Sequence, residues 1–128
     1  MCKRDREKSV LSLEACERAA ILYAHGMIAL EEGYVHRAIG LFRRSVRWNP
    51  HYQTYERLYT SYMQAGMKEE ALRSIREAYE RCPCNDRAAY CYAILLKRHG
   101  EEEEARAIAR DIMARNPRYY AREINKLL

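Results

Sequence analysis

Long apolar runs are absent from this 128-residue sequence, and glycine and proline are scarce, with five and three copies. The longest apolar stretch is far shorter than the ~20 residues that span a bilayer, so no membrane partner is expected. The charged N-terminal segment offers no signal-peptide core, because Glu14, Glu17 and Arg18 interrupt the nearest candidate. The five cysteines lack the spacing of a disulfide framework. We therefore predict a cytoplasmic protein with reduced thiols.

Sequence motifs of catalysis are also missing. There is no Gly-rich phosphate loop, no paired metal-binding helix motif and no nucleophile elbow. The four histidines are scattered, with no recurring acid or nucleophile beside them. We expect no catalytic residues, no cofactor and no enzyme activity.

The cysteines come closest to a metal site at Cys82-Pro83-Cys84, with Cys91 and His99 further on. Zinc favours four Cys and His ligands, but this spacing is not a standard pair of zinc knuckles. Cys-x-x-Cys redox spacing is absent as well. We predict that these cysteines are small apolar fillers and that the chain holds no metal.

The composition indicates a folded helical protein. Apolar residues make up 48% and charged residues 32%, with both signs interspersed. Alanine, glutamate, arginine and leucine are common, which favours helix. The formal charge of +5 permits acidic partners. It is weaker than the basic footprint of a dedicated nucleic-acid-binding protein.

Three glycine–alanine–proline triplets recur at a near-constant step of 33 and then 34 residues. A period of this length is typical of a solenoid of helical hairpins. Glycine between two helices adopts positive φ, a small alanine allows close helix approach, and proline ends the second helix. The triplets are Gly33, Ala38 and Pro50; Gly66, Ala71 and Pro83; and Gly100, Ala105 and Pro117.

Periodicity and end signals place seven helices after a polar lead at residues 1–12, in a single domain at 13–128. Acidic residues open two of them, including the Glu101–Glu104 run, which we interpret as a charged first turn. The helices are predicted at about Leu13–Glu32, Val35–Trp48, Tyr52–Ala65, Lys68–Arg81, Asp86–Arg98, Glu101–Arg115 and Tyr119–Leu127.

The chain resembles the tetratricopeptide repeat family over repeats at 19–51, 52–85 and 86–119, with a cap helix at 119–128. The first repeat carries Leu22, Gly26, Gly33, Ala38, Phe42 and Pro50; the second Tyr55, Leu58, Tyr62, Gly66, Ala71, Ala78 and Pro83; the third Ala93, Gly100, Ala105 and Pro117. The resemblance implies an all-α, right-handed solenoid of three antiparallel hairpins. It also implies a concave groove, lined by the first helices, that binds a peptide or helix of a partner.

The groove positions carry over from the family one by one, and they grade from apolar to basic. They suit a partner segment with apolar anchors and an acidic portion. One family subtype grips a C-terminal carboxylate from positions that are Tyr23 and Met27 here, so we do not expect that mode. The groove residues are Tyr23, Met27 and Leu30; Glu56, Thr60, Met63 and Gln64; and Arg87, Tyr90, Ile94, Lys97 and Arg98.

Several functional alternatives stay open beside a non-catalytic adaptor. The chain also looks somewhat like the pentatricopeptide repeats, which bind single-stranded RNA. A basic stretch without acidic residues precedes Trp48 and Tyr52, and such patches hold phosphates and stack bases. Its arginines are Arg37, Arg43, Arg44 and Arg47. Nucleic acid is the less favoured partner, because these arginines lie on a second helix. A small secretion-type chaperone is a third hypothesis, and an exposed terminal repeat makes a homo-oligomer conceivable.

Overall fold

The computed structural model describes residues 12–81 and 85–128, and seven α-helices and no strand occur within those two ranges. The all-α fold class is therefore confirmed. The helices are α1 Leu13–Glu31, α2 Val35–Trp48, α3 Tyr52–Gln64, α4 Lys68–Arg81, α5 Asp86–Arg98, α6 Glu102–Arg115 and α7 Ala121–Asn125.

The chain divides after Arg81 into two compact units. In the first unit, α1 pairs with α2, α3 pairs with α4, and α2 packs against α3. In the second unit, α5 pairs with α6, and the short α7 contacts α6. Residues 1–11 of the predicted polar lead lie outside the described residues, and so does the Cys82-Pro83-Cys84 segment with its packing and metal interpretations.

The repeating glycines end the first helix of each hairpin. Gly33, Gly66 and Gly100 have φ values of +86°, +75° and +82°. At the first of them, Gly33 N–H donates to Leu30 O at 3.1 Å and Tyr34 N–H donates to Ala29 O at 2.8 Å. These two bonds satisfy carbonyls that the helix end would otherwise leave unpaired. The predicted end of each first helix is thus correct to within one residue.

The repeating alanines lie where the two helices of each hairpin meet. Ala38, Ala71 and Ala105 are all fully buried. In the first hairpin, the Ser45 hydroxyl also donates to Ala19 O at 2.8 Å, joining α2 to the backbone of α1. A larger side chain at these alanines would separate the helices, because interiors are close-packed.

The last helix is shorter than predicted at both ends, because it spans Ala121–Asn125 instead of Tyr119–Leu127. Tyr120 has φ +41° and ψ +43°, a left-handed conformation that interrupts the helical hydrogen-bond ladder before Ala121. The short helix buries Ile124 and the following turn buries Leu127, whereas Leu128 is exposed. Two of the three large aliphatic side chains of this terminal segment are therefore packed against the protein.

Candidate functional site

Three predicted groove residues lie on α1 at spacings of four and three residues. Tyr23, Met27 and Leu30 therefore share one face of the helix. All three side chains are half-buried, so each contacts the protein and still presents surface to solvent. The Tyr23 ring lies 5.8 Å from the ring of Phe42, at a tilt of 51°. Tyr23 thus has a packing role, whatever else it contacts.

A close approach between α1 and α2 holds the Phe42 ring in place. Phe42 is fully buried, and a Cβ built on Gly26 would lie 2.6 Å from its Cε1 atom. Glycine at position 26 therefore leaves the space that the Phe42 ring occupies. Because Phe42 in turn contacts Tyr23, this pairing sets the position of the first residue on the candidate groove face.

Four further predicted residues lie on α3. Glu56 and Met63 are half-buried, whereas Thr60 and Gln64 are exposed. The Thr60 hydroxyl donates to Glu56 O at 3.1 Å, one turn earlier in the same helix. The α3 face therefore combines one apolar side chain with a carboxylate, an amide and a hydroxyl that is already satisfied locally.

A cavity of about 220 Å³ lies where the first turns of α1 approach α3. Tyr23 forms part of its wall, and Cys16, Asn49 and Gln53 also line it. The Asn49 Oδ1 atom is buried and has no hydrogen-bond partner within residues 12–81 or 85–128. This small recess therefore has walls that mix apolar side chains, such as Cys16, with polar ones, such as Gln53.

Sequence reasoning identified Tyr23 but missed the other residues of this recess. Gln53 lies three positions before Glu56, so helical spacing alone could have added it to the α3 face. No sequence signal marks Asn49, which follows α2 in extended conformation. Its burial depends on how α1 and α3 approach each other.

In the second unit, the predicted residue Tyr90 stacks on Tyr120. Their ring centroids are 5.4 Å apart with an angle of 3° between the planes, and Tyr119 meets Tyr120 edge-on at 4.7 Å. Burial raises the pKa of the Tyr90 hydroxyl above its ordinary value, and the Glu123 carboxylate raises it further. The segment before α7 therefore covers part of Tyr90.

The other predicted residues of α5 differ in exposure. Ile94 is half-buried, whereas Arg87, Lys97 and Arg98 are exposed. The Lys97 ammonium donates to Lys126 O at 3.3 Å. Lys97 and Tyr90 on α5 therefore both contact the C-terminal segment, through Lys126 and Tyr120 respectively.

The acidic run at the start of α6 behaves as a charged first turn. Glu102 and Glu103 lie 3.4 Å and 2.8 Å from the Arg106 guanidinium.

Cys16 and Cys91 are half-buried. Within the described residues, no group of three or more His, Cys, Asp or Glu side chains is placed to hold a metal ion. No described helix has both the length and the apolar content to cross a membrane.

Comparisons with known proteins identify the arrangement of helices. No protein-family model matches the sequence, and neither does any curated protein. Among solved structures, the first tetratricopeptide repeat domain of Spaghetti (RPAP3), bound to the HSP90 peptide SRMEEVD, matches with a TM-score of 0.61 and 15% identity. That match covers 88% of this chain and 91% of the other. The chain has the tetratricopeptide-repeat fold.

Two further solved structures with this fold have similar extents. The Arabidopsis OM64 tetratricopeptide repeat domain matches with a TM-score of 0.58 and 14% identity, over 88% of this chain and 96% of that one. MamA matches with a TM-score of 0.60 and 17% identity, over 99% of this chain and 83% of that one. At these identities the similarity shows the fold alone.

Proposed function

We propose that this tetratricopeptide-repeat chain is a non-catalytic interaction module that binds a peptide or helix of another protein. The binding surface is the face of α1 and α3 that carries Tyr23, Met27, Thr60 and Met63. The half-buried state of the three large apolar residues supports this proposal, because each offers apolar area without being part of the sealed core. The solved relative that holds a peptide supports the same mode of binding.

The chemistry of this face indicates what the segment carries. Methionine and tyrosine supply adaptable apolar area, so the segment needs apolar anchors. The recess beside Tyr23 is large enough for one small side chain, and the polar residues Asn49 and Gln53 lie in its wall. The exposed cations Arg87 and Arg98 on α5 remain predicted contacts for acidic residues of a partner.

A bulky substitution on the α3 face tests the proposal with little risk to the fold. Thr60 is exposed and its hydroxyl bonds only to the preceding turn in α3, so Thr60→Arg is expected to block the face and leave the melting temperature nearly unchanged. Ala107→Arg, at an exposed position of α6 in the second unit, adds the same charge to a helix that carries none of the proposed binding residues. The proteins of interest are those that the wild type and Ala107→Arg capture but Thr60→Arg does not. Synthetic peptides covering their sequences are then titrated against the wild type by calorimetry.

Capture at low and high salt separates protein from nucleic-acid partners. Phosphate contacts weaken steeply with salt, whereas apolar anchoring of a peptide persists. Retention of the same proteins by Thr60→Arg would show that the α3 face is not the binding surface. Capture of RNA that is lost at high salt would favour the RNA-binding alternative instead.

A further inference from the structure

The first hairpin carries an apolar surface separate from the proposed binding face. We call it the outer face, formed by Ile21, Ile28, Glu32, Arg37, Leu41 and Arg44. Ile21 and Ile28 are 57% and 52% exposed, although isoleucine is among the residues most often buried. Of the seven exposed large hydrophobic residues in the described chain, five lie in the segment from α1 to α2. The apolar exposure is therefore concentrated on this hairpin.

The second hairpin shows what the same positions do when a helix covers them. The 33-residue step relates Ile21 to Thr54 and Ile28 to Ser61. Thr54 and Ser61 are only 4% and 0% exposed, in a hairpin whose α3 packs against α2 of the preceding hairpin. At the equivalent positions of α1 the side chains are larger and more apolar, yet exposed. The outer face thus has the composition of a helix-packing surface.

The outer face also has room for side chains of a bound helix. A cavity of about 550 Å³ lies between α1 and α2, and Ile28 and Leu41 line it. Gly40 lies at its α2 side, and a Cβ built there would meet nothing within 4 Å. An apolar side chain of an incoming helix can therefore enter between the two helices without displacing the backbone.

The charges on the outer face are asymmetric, because Arg37 and Arg44 outnumber its single carboxylate, Glu32. Helix α2 contains no acidic residue. Arg37 and Arg44 line the cavity on the α2 side, and neither forms an ion pair with any carboxylate of the described residues. Seven residues separate them, which corresponds to about 10 Å along the helix axis. Two carboxylates at the same spacing on a facing helix would pair with both.

We propose that the outer face binds an amphipathic helix of another protein, with an apolar stripe flanked by two acidic residues seven positions apart. Apolar anchors at helical spacing in a groove are a recurrent mode of recognition. A second copy of this chain fits less well. Outside the first hairpin its exposed large hydrophobic residues are Tyr120 and Leu128 among those described, which do not form a helical stripe. Pairing two outer faces would bring together four arginines and only the two Glu32 carboxylates.

A peptide library tests the charge pattern directly. The probe is a set of 18-residue helical peptides with a fixed leucine stripe, in which two flanking positions seven apart are randomised among Glu, Gln and Lys. Selection on the immobilised full chain is expected to enrich Glu at both positions. Equal recovery of Gln or Lys, or recovery of no binder, would overturn the proposal.

Charge reversal then locates the site. Arg37→Glu/Arg44→Glu is expected to weaken the selected peptide at least about tenfold and to favour Lys-flanked peptides instead. The control Arg57→Glu/Arg73→Glu reverses two exposed arginines on α3 and α4 and is expected to leave binding unchanged. Sedimentation completes the test: a wild-type dimer that Ile28→Glu dissociates would mean that a second copy occupies the face.

Discussion

Gly26 and Gly40 differ in the space that they leave for an added Cβ atom, although both lie inside helices of the first hairpin. A Cβ on Gly26 would lie 2.6 Å and 2.8 Å from Cε1 and Cδ1 of Phe42. Carbon atoms in favourable contact are about 3.5–4.0 Å apart, so the overlap approaches an ångström. Phe42 is fully buried and its ring cannot move aside without disturbing Tyr23. At Gly40, by contrast, the added Cβ meets open space.

Both glycine-to-alanine substitutions gain the same helix-propensity contribution, so their difference isolates the clash. Alanine stabilises a helix interior by about 0.5–1 kcal/mol relative to glycine. Gly40→Ala is expected to show that gain. Overpacking a filled core costs about 1–3 kcal/mol. We therefore expect the free energy of unfolding of Gly26→Ala to lie about 1–3 kcal/mol below that of Gly40→Ala.

Urea denaturation followed by far-ultraviolet circular dichroism measures both variants, and equal m-values would show that the denatured state is unchanged. Phe42→Leu provides a further check, because replacing the aromatic ring by a smaller side chain should reduce the destabilisation caused by Gly26→Ala in the double variant. If Gly26→Ala is as stable as Gly40→Ala, the Gly26–Phe42 approach does not constrain this hairpin, and the account of how Tyr23 is positioned fails with it.

Two further predictions concern the second unit. Asp86 accepts from Arg115 at 2.8 Å with 20% of its side chain exposed, whereas Glu103 pairs with Arg106 at the same distance while 86% exposed. Asp86→Asn is therefore expected to lower the free energy of unfolding by about 0.5–1 kcal/mol, and Glu103→Gln by much less; equal effects in urea titrations would contradict this. The pKa of Tyr90 is raised because the folded state favours its protonated hydroxyl, and this contribution to stability is present below pH 10 and is lost as the pH rises further. The wild type should therefore lose stability above pH 10 more steeply than Tyr90→Phe. Parallel pH profiles of the thermal midpoint would refute the assignment.

The amino-acid sequence determined where most helices begin and end. Gly33, Gly66 and Gly100 are local signals, because glycine adopts positive φ without a Cβ clash, and the chain adopts positive φ at each of them. The predicted bounds of α2, α4 and α5 agree with the structure to the residue. The tetratricopeptide-repeat fold follows from the same periodic pattern, since each element repeats the spacing of the one before.

The tertiary structure alone decided which side chains meet across elements. The family resemblance placed Tyr23 and Tyr90 at equivalent positions of two repeats, but one contacts Phe42 and the other stacks on Tyr120. Tyr120 does so because its backbone is left-handed, a conformation that sequence does not signal for tyrosine. The exposure of Ile28 could not be predicted from the sequence either, because burial depends on whether a neighbouring helix is present. Local backbone preferences are encoded within a few residues, whereas contacts and exposure arise from packing between helices distant in the chain.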